Sequence, residues 1–280
     1  MRHRSHMHFM NASSVATALN ARRSSTWRVR LLAFFALFVP WLAAWLLPSL
    51  AQPQSFHNYA DQRLWLGLPH AADVLSNVPF LAVGALGLHF VLHGWRAKNP
   101  DAFSDLRAAW PYALLFAGVV LTAFGSAWYH AQPNDATLLW DRLPMAFGFA
   151  GLVAGTLTDR APQQISQWLF AFATVGAGTV LFWHVSGNLL PYLVMQVGFI
   201  AAALIATAWI APRYTHAKRV YAAAGLYAVA MICERLDHQV YAWLGGWISG
   251  HTLKHLVACA AIVIVYSMLR NRRAQPAISS

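Results

Sequence analysis

Five residues in two short stretches have the types and spacing of a metal-assisted hydrolytic centre. In FGSAWYHAQPNDATLLWDRLPM, Ser126 and His130 stand four apart and share one face of a helix. Asp141 follows them after a turn-forming AQPND segment. In GHTLKH, His251 and His255 repeat the four-residue step, which sets His255 about 6 Å further along its helix. Three imidazoles from two helices can hold a zinc ion and leave its fourth position open to water. Soluble zinc proteases use the same i,i+4 pair but carry Glu after the first His. Here that place is Thr252, so a base has to come from elsewhere, and Asp141 is the nearest free carboxylate. Zinc lowers the pKa of its water to about 7, so a modest base suffices. Ser126, one turn from His130, is placed to donate a hydrogen bond to an oxyanion formed from a carbonyl.

The elements that must position these residues follow from composition. The 280 residues are 58% hydrophobic and only 10% charged, where a soluble domain is about a quarter charged. That excludes an ordinary cytosolic globule, a disordered chain and a disulfide scaffold; Cys233 and Cys259 each stand alone in an apolar run. The net charge of +11 would suggest nucleic acid in a soluble protein, but here a membrane accounts for it and no nucleic-acid partner is expected. A spanning helix needs about 20 apolar residues. Eight such runs occur, near 31–49, 72–94, 108–130, 138–158, 165–185, 190–211, 219–236 and 251–269. Runs such as AAIVIVYSML are apolar all round, unlike the alternating strands of a barrel. The expected fold is all-α, a polytopic transmembrane bundle with a seven-helix core plus one N-terminal helix.

Basic residues set the orientation. Along an eight-helix path, 16 of the 20 lysines and arginines fall on one side, from Arg2 to Arg30 in the tail to Arg270, Arg272 and Arg273 at the other end. Arg63, Arg142, Arg235 and Lys254 are the remainder. Both termini are therefore expected in the cytoplasm, with a bacterial inner membrane favoured. The same path, derived without the histidines, brings Ser126, His130, Asp141, His251 and His255 to one depth at the outer end. The expected organisation is a basic tail over 1–30, an added helix over 31–49, an outer loop over 50–71, the seven-helix domain over 72–269 and a tail over 270–280. Two alternatives stay open for the N-terminus. The chain upstream of Met7 or Met10 is tail, transit-like leader or sequence before an internal start; the run at 31–49 is an uncleaved helix, which its length favours, or a signal cut near Leu50–Ala51.

Ionisable groups inside spans are costly and mark a site where they converge. The sequence carries its own control: His89 and His93 share the four-residue step but meet no intramembrane acid, and read as interfacial. Lone His184 reads as packing. Ser76 and Asn77 in ADVLSN read as structural, by capping or helix–helix hydrogen bonding. Asp73 and Asp237 either cap or orient ligand imidazoles as outer acceptors. Glu234 and His238 close the seventh span. Most of the 13 Trp suit interfacial belts, with Trp128 and Tyr129 placed to line an opening beside His130.

Together these stretches resemble the alkaline ceramidases. FGSAWYHAQPNDATLLWDRLPM is similar to their Ser–three–His–ten–Asp signature, GHTLKH to their closing His–three–His, and ADVLSN to the opening of their first core helix. The resemblance covers about 72–269. The wider superfamily includes seven-span receptors of the adiponectin and progestin type, with the same metal-site logic. The resemblance implies that His130, His251 and His255 hold zinc, that Asp141 activates water and that Ser126 stabilises the oxyanion. The substrate would be a lipid drawn sideways from the bilayer, ceramide or a related long-chain N-acyl lipid, cut to a sphingoid base and a fatty acid. The alternative is a receptor-like or structural seven-span protein that uses the zinc without hydrolysis. Two departures stand out. Residues 51–72 hold one acid, Asp61, where the better-known members carry an acidic calcium-binding stretch, so calcium is not expected; and Arg142 follows Asp141 where they usually have Glu.

Overall fold

The structure, a computed structural model, describes residues 12–96, 102–103, 106–161 and 165–275. Met7, Met10, Lys98 and the last residues of the C-terminal tail lie outside it. All regular elements among the described residues are helical: α1 Ala12–Leu46, α2 Ala71–Leu75, α3 Val78–Arg96, α4 Leu106–Ala131, α5 Asp135–Thr158, α6 Ile165–Ser186, α7 Leu190–Trp209, α8 Arg219–Arg235, α9 Asp237–Trp243 and α10 Gly250–Asn271. One 3-10 turn, Gln54–His57, lies in the segment between α1 and α2.

Among the described residues, six segments are long and apolar enough to cross a membrane: Ser25–Leu46, Ala71–Gly94, Arg107–Ala131, Trp168–Ser186, Leu190–Trp209 and Gly250–Asn271. Their outward faces carry Phe34, Phe38, Phe124, Phe170, Val185 and Val197, all exposed. A large apolar surface of this kind has no place in water. The chain is an integral membrane protein. The other two expected spans, α5 and α8, are less apolar for a physical reason. Helix α5 carries Asp141 and Arg142 and small residues along its buried face, and α8 is 17 residues long with Arg219 and Arg235 at its ends.

Two boundaries differ from the sequence reading. Helix α1 begins at Ala12 rather than near 31, so the second half of the expected tail is helical; ASSVATALNARRS contains neither Gly nor Pro, and the helix extends through it. The second span is broken at Ser76–Asn77 into α2 and α3. Pro79 has no N–H to give to the Leu75 carbonyl, and the Asn77 side chain donates to the Asp73 and Val74 carbonyls across the break.

Two apolar cores hold the bundle. One joins α1, α5, α6 and α7 around Leu37, Val153, Phe172 and Phe199. The other joins α3, α4, α8 and α10 around Val91, Phe116, Val220 and Leu269. Helices α4 and α5 make the closest crossing. A Cβ at Gly125 would collide with the Trp140 carbonyl oxygen, so only glycine lets the two backbones meet there. That crossing lies beside Ser126 on one helix and Asp141 on the other.

The two ends of α10 are fixed by polar networks. At its C-terminal end, Arg272 pairs with Asp159 at 3.0 Å, Tyr112 donates to the same carboxylate at 2.6 Å, and the Arg272 guanidinium stacks 4.1 Å from the Tyr214 ring. Arg160 spends its donors on the Ala206, Ile210 and Thr156 carbonyls and on Thr207. Its N-terminal end lies at the opposite end of the bundle, among the residues singled out above.

Candidate metal centre

The start of α10 is seated before any imidazole is placed. A Cβ at Gly250 would meet the Cys233 carbonyl oxygen, so α10 begins directly against the end of α8. Ser249 caps α10 by accepting from the Thr252 N–H at 2.8 Å. The Ser249 and Thr252 hydroxyls in turn reach Asp73 Oδ1 at 2.9 and 2.6 Å. Asp237 accepts from the His251 backbone N–H at 2.7 Å through Oδ1 and from the Ala60 N–H at 2.8 Å through Oδ2. Neither carboxylate touches a ligand ring, although the Asp73 main-chain carbonyl also faces the His255 imidazole. Both fix the backbone that carries the rings.

The structure brings His130, His251 and His255 together. Their candidate ligand atoms all lie within 4.8 Å of one another, and each residue is 1–3% exposed. His130 Nε2 and His251 Nε2 are 3.2 Å apart. Two nitrogens held tetrahedrally at about 2.0–2.1 Å from one zinc would be about 3.3 Å apart, so this pair already has ligand spacing.

The tautomer of His255 follows from a chain of hydrogen bonds. The Ser76 hydroxyl donates its one proton to the Asp73 carbonyl at 2.8 Å. Towards His255 Nδ1, 2.7 Å away, it can only accept. With the Ser76 proton assigned to the Asp73 carbonyl, His255 carries its own proton on Nδ1 and presents the Nε2 lone pair to the cluster. Holding a ligand imidazole through its far nitrogen in this way fixes ring orientation and raises basicity. Ser76 has more than the structural role its position suggested, because the break after α2 turns its side chain toward α10. On the other rings, His251 Nδ1 faces Glu234 Oε1 at 3.9 Å, and His130 Nδ1 has no hydrogen-bond partner among the described residues.

The segment between α1 and α2 folds over the cluster. Tyr59 is buried, with its ring centroid 4.8 Å from that of His130 and 4.6 Å from that of His251. Burial first, and then the neighbouring Tyr129, push its phenol well above the ordinary value, so it stays neutral. His57 anchors the segment to Tyr129 at 2.9 Å and to Asp135 at 3.2 Å. Gln52 accepts from Arg142 at 2.6 Å, and that guanidinium stacks 4.2 Å from the Trp183 ring, away from the histidines. Asp61 is fully buried and takes both its oxygens to Arg63, at 2.7 and 2.8 Å. Burial alone would raise the Asp61 carboxyl, but the Arg63 hydrogen bonds and charge outweigh it and hold the group below the usual range. Tyr59 carries no signal in the sequence, since nothing about a loop tyrosine gives its height above a helix end.

Ser126, Asp141 and His255 line one largely apolar cavity of about 130 Å³, with Thr122, Tyr227 and Lys254 also at its wall. The Ser126 hydroxyl interacts with the Asp141 carboxylate. His251 instead faces a second hollow of about 440 Å³ together with Tyr59, Glu234 and Asp237. The histidines thus stand between an apolar chamber and a polar crevice. The residues set aside in the sequence are elsewhere: His89 and His93 are exposed and stack on each other at 5.6 Å, and His184 is exposed. Trp128 is half-exposed, stacks on Trp140 at 6.1 Å and lines neither of these two hollows.

The fold and this centre define an integral membrane helical bundle with a buried three-histidine group able to bind a metal ion. No protein-family model matches the chain, and no curated protein matches it.

Removing the Ser76 hydroxyl should loosen the metal without unfolding the bundle. In Ser76→Ala, metal affinity measured by chelator competition is expected to fall about 10–100-fold, the usual effect of losing an outer partner. The double change His89→Ala, His93→Ala should leave it unaltered. Equal affinity in Ser76→Ala and wild type would show that the His255 tautomer is set by something else.

Proposed function

We propose that the protein is a zinc-dependent membrane amidohydrolase that cleaves the N-acyl bond of ceramide or a related long-chain N-acyl lipid. The observation that supports it best is the joint placement of a carboxylate, a hydroxyl and a three-histidine group at one end of an apolar cavity. Zinc is the metal of choice for a buried all-imidazole set with an open position. A zinc ion held there supplies a Lewis acid that makes water nucleophilic near neutral pH.

The chain's own residues do the rest. His255 keeps its proton on Nδ1, through Ser76, and offers Nε2 for binding. Asp141 takes a proton from the attacking water and returns it to the leaving nitrogen. Ser126 rests on Asp141 and turns to donate to the oxygen of the substrate carbonyl as charge develops there. Tyr59 and the segment around it cover the cluster and keep bulk water from the reacting bond. The acyl chain lies among Leu115, Val119, Met145 and Phe149 in the apolar cavity, an environment close to the bilayer it leaves. The resemblance to alkaline ceramidases supplies the N-acyl lipid; the geometry supports hydrolysis at a lipid-accessible centre.

The site would face the outer or periplasmic side, with both termini in the cytoplasm, because arginines and lysines crowd the end opposite the histidines. A topology reporter fused at the C-terminus should read cytoplasmic, and one in the 131–134 turn should read external. The reverse pattern would overturn this orientation.

Activity is tested with N-acyl sphingoid lipids on purified protein. Asp141→Asn should retain metal and lose hydrolysis by about 10²–10⁴-fold, the range for a missing general base. A folded, zinc-loaded wild-type protein inert toward every N-acyl lipid would instead favour a receptor-like or scaffold role.

A further inference from the structure

An ion pair stands in the wall between the two hollows. Lys254 Nζ lies 2.5 Å from Glu234 Oε1, and the two side chains are 12% and 22% exposed. Lys254 lines the apolar cavity, where it is the one lysine or arginine among the lining residues. Glu234 lines the polar crevice. The other carboxylate there, Asp237, is committed through both oxygens to the His251 and Ala60 N–H groups. Arg235 sits exposed at the crevice rim. Met231 touches both hollows, while His255 faces the cavity and His251 the crevice. The wall that holds the pair is therefore the wall that holds the metal ligands. A purely structural ion pair gains little when desolvated, and nothing in helix packing requires its two charges to face opposite chambers.

The chemistry proposed above creates two charges at this wall. Water adds its oxygen to the acyl carbon, the C–N bond breaks, and the leaving nitrogen takes a proton. The acid formed passes its remaining proton to the amine, so a neutral amide ends as one carboxylate and one ammonium. The carboxylate is on the acyl chain, in the cavity; the ammonium is on the head portion, in the crevice. We propose, resting on that amidohydrolase reading, that Lys254 and Glu234 form a product-binding pair. On cleavage their mutual contact opens, Lys254 takes the released carboxylate and Glu234 takes the released ammonium. One ion pair becomes two. Before cleavage the pair neutralises itself and presents no net charge to a neutral lipid. An ester, which yields an alcohol in place of the amine, would form only one of the two new contacts, so the arrangement favours amides.

The test is equilibrium binding to the zinc-loaded protein in detergent: radiolabelled hexadecanoate is displaced by hexadecanoate or hexadecanol, and radiolabelled sphingosine, which takes the crevice rather than the cavity, is titrated directly. Lys254→Met should weaken hexadecanoate about tenfold, the size of one charge-assisted contact, and leave hexadecanol unchanged. Lys254→Arg should restore most of the loss. Glu234→Gln should strengthen hexadecanoate, because Lys254 loses its competitor, and weaken sphingosine about tenfold. This opposite movement is not expected of a pair that only holds α8 to α10, and it remains measurable if Lys254→Met fails to load zinc. Acid and alcohol affinities that change together, or a Glu234→Gln variant that weakens both acid and amine, would overturn the proposal. Hydrolysis of an N-acyl sphingoid lipid is measured on the same preparations. Intact hydrolysis without charge-selective binding removes the ion-pair inference alone. Charge-selective binding in a protein with no hydrolysis removes the amidohydrolase reading and leaves the pair as a lipid-acid and lipid-amine site.

Discussion

Three imidazoles buried together inside a bundle of apolar helices are costly unless each ring nitrogen has a partner. That constraint organises the end of the molecule where they sit. Ser76 takes the outer nitrogen of His255, Glu234 stands off that of His251, and the inner nitrogens of His130 and His251 face each other at 3.2 Å. Two neutral rings in that position can share at most one proton, while a cation satisfies all three at once. The surrounding polar residues serve the same end at one remove. Asp73 and Asp237 hold the first turn of α10, Gly250 lets that turn press against α8, and the long network around Asp159 and Arg272 fixes the far end of the same helix.

The covering segment completes the enclosure. Residues 50–70 contain little regular structure, yet they are tied at Asn188, Tyr129, Asp135, Asp237 and Trp247. Through Tyr59 they supply an aromatic wall over two of the imidazoles. Two differently lined spaces flank the histidines: an apolar one and a more polar one. The proposed division of one substrate between them rests on that lining.

The sequence revealed the centre because its residues obey helical spacing. Ser126 and His130, and His251 and His255, each lie on one helix face, and the basic residues alone brought both faces to the same end. Eight long apolar runs were equally legible, since a run of about 20 such residues has few other uses, but the break between α2 and α3 and the short α9 were not. What could not be read depended on contacts between distant segments. Ser76 looked like a cap because the break at Pro79, which aims it at His255, depends on how α2 packs on α10. Lys254 looked like a stray charge on the sparsely basic side, and Glu234 like a helix end; 20 residues separate them, and only the meeting of α8 with α10 makes them a pair. The extent of α1 was missed because its early residues are polar enough to pass for a tail while favouring helix.

Zinc K-edge X-ray absorption of the purified protein reads the three-histidine centre itself. One zinc per chain is expected, with three nitrogen neighbours at about 2.0–2.1 Å, the imidazole multiple-scattering pattern and one further light atom. Sulfur scattering at about 2.3 Å, which would bring in Cys233 or Cys259, or a folded protein that binds no zinc with the three histidines intact, would contradict it.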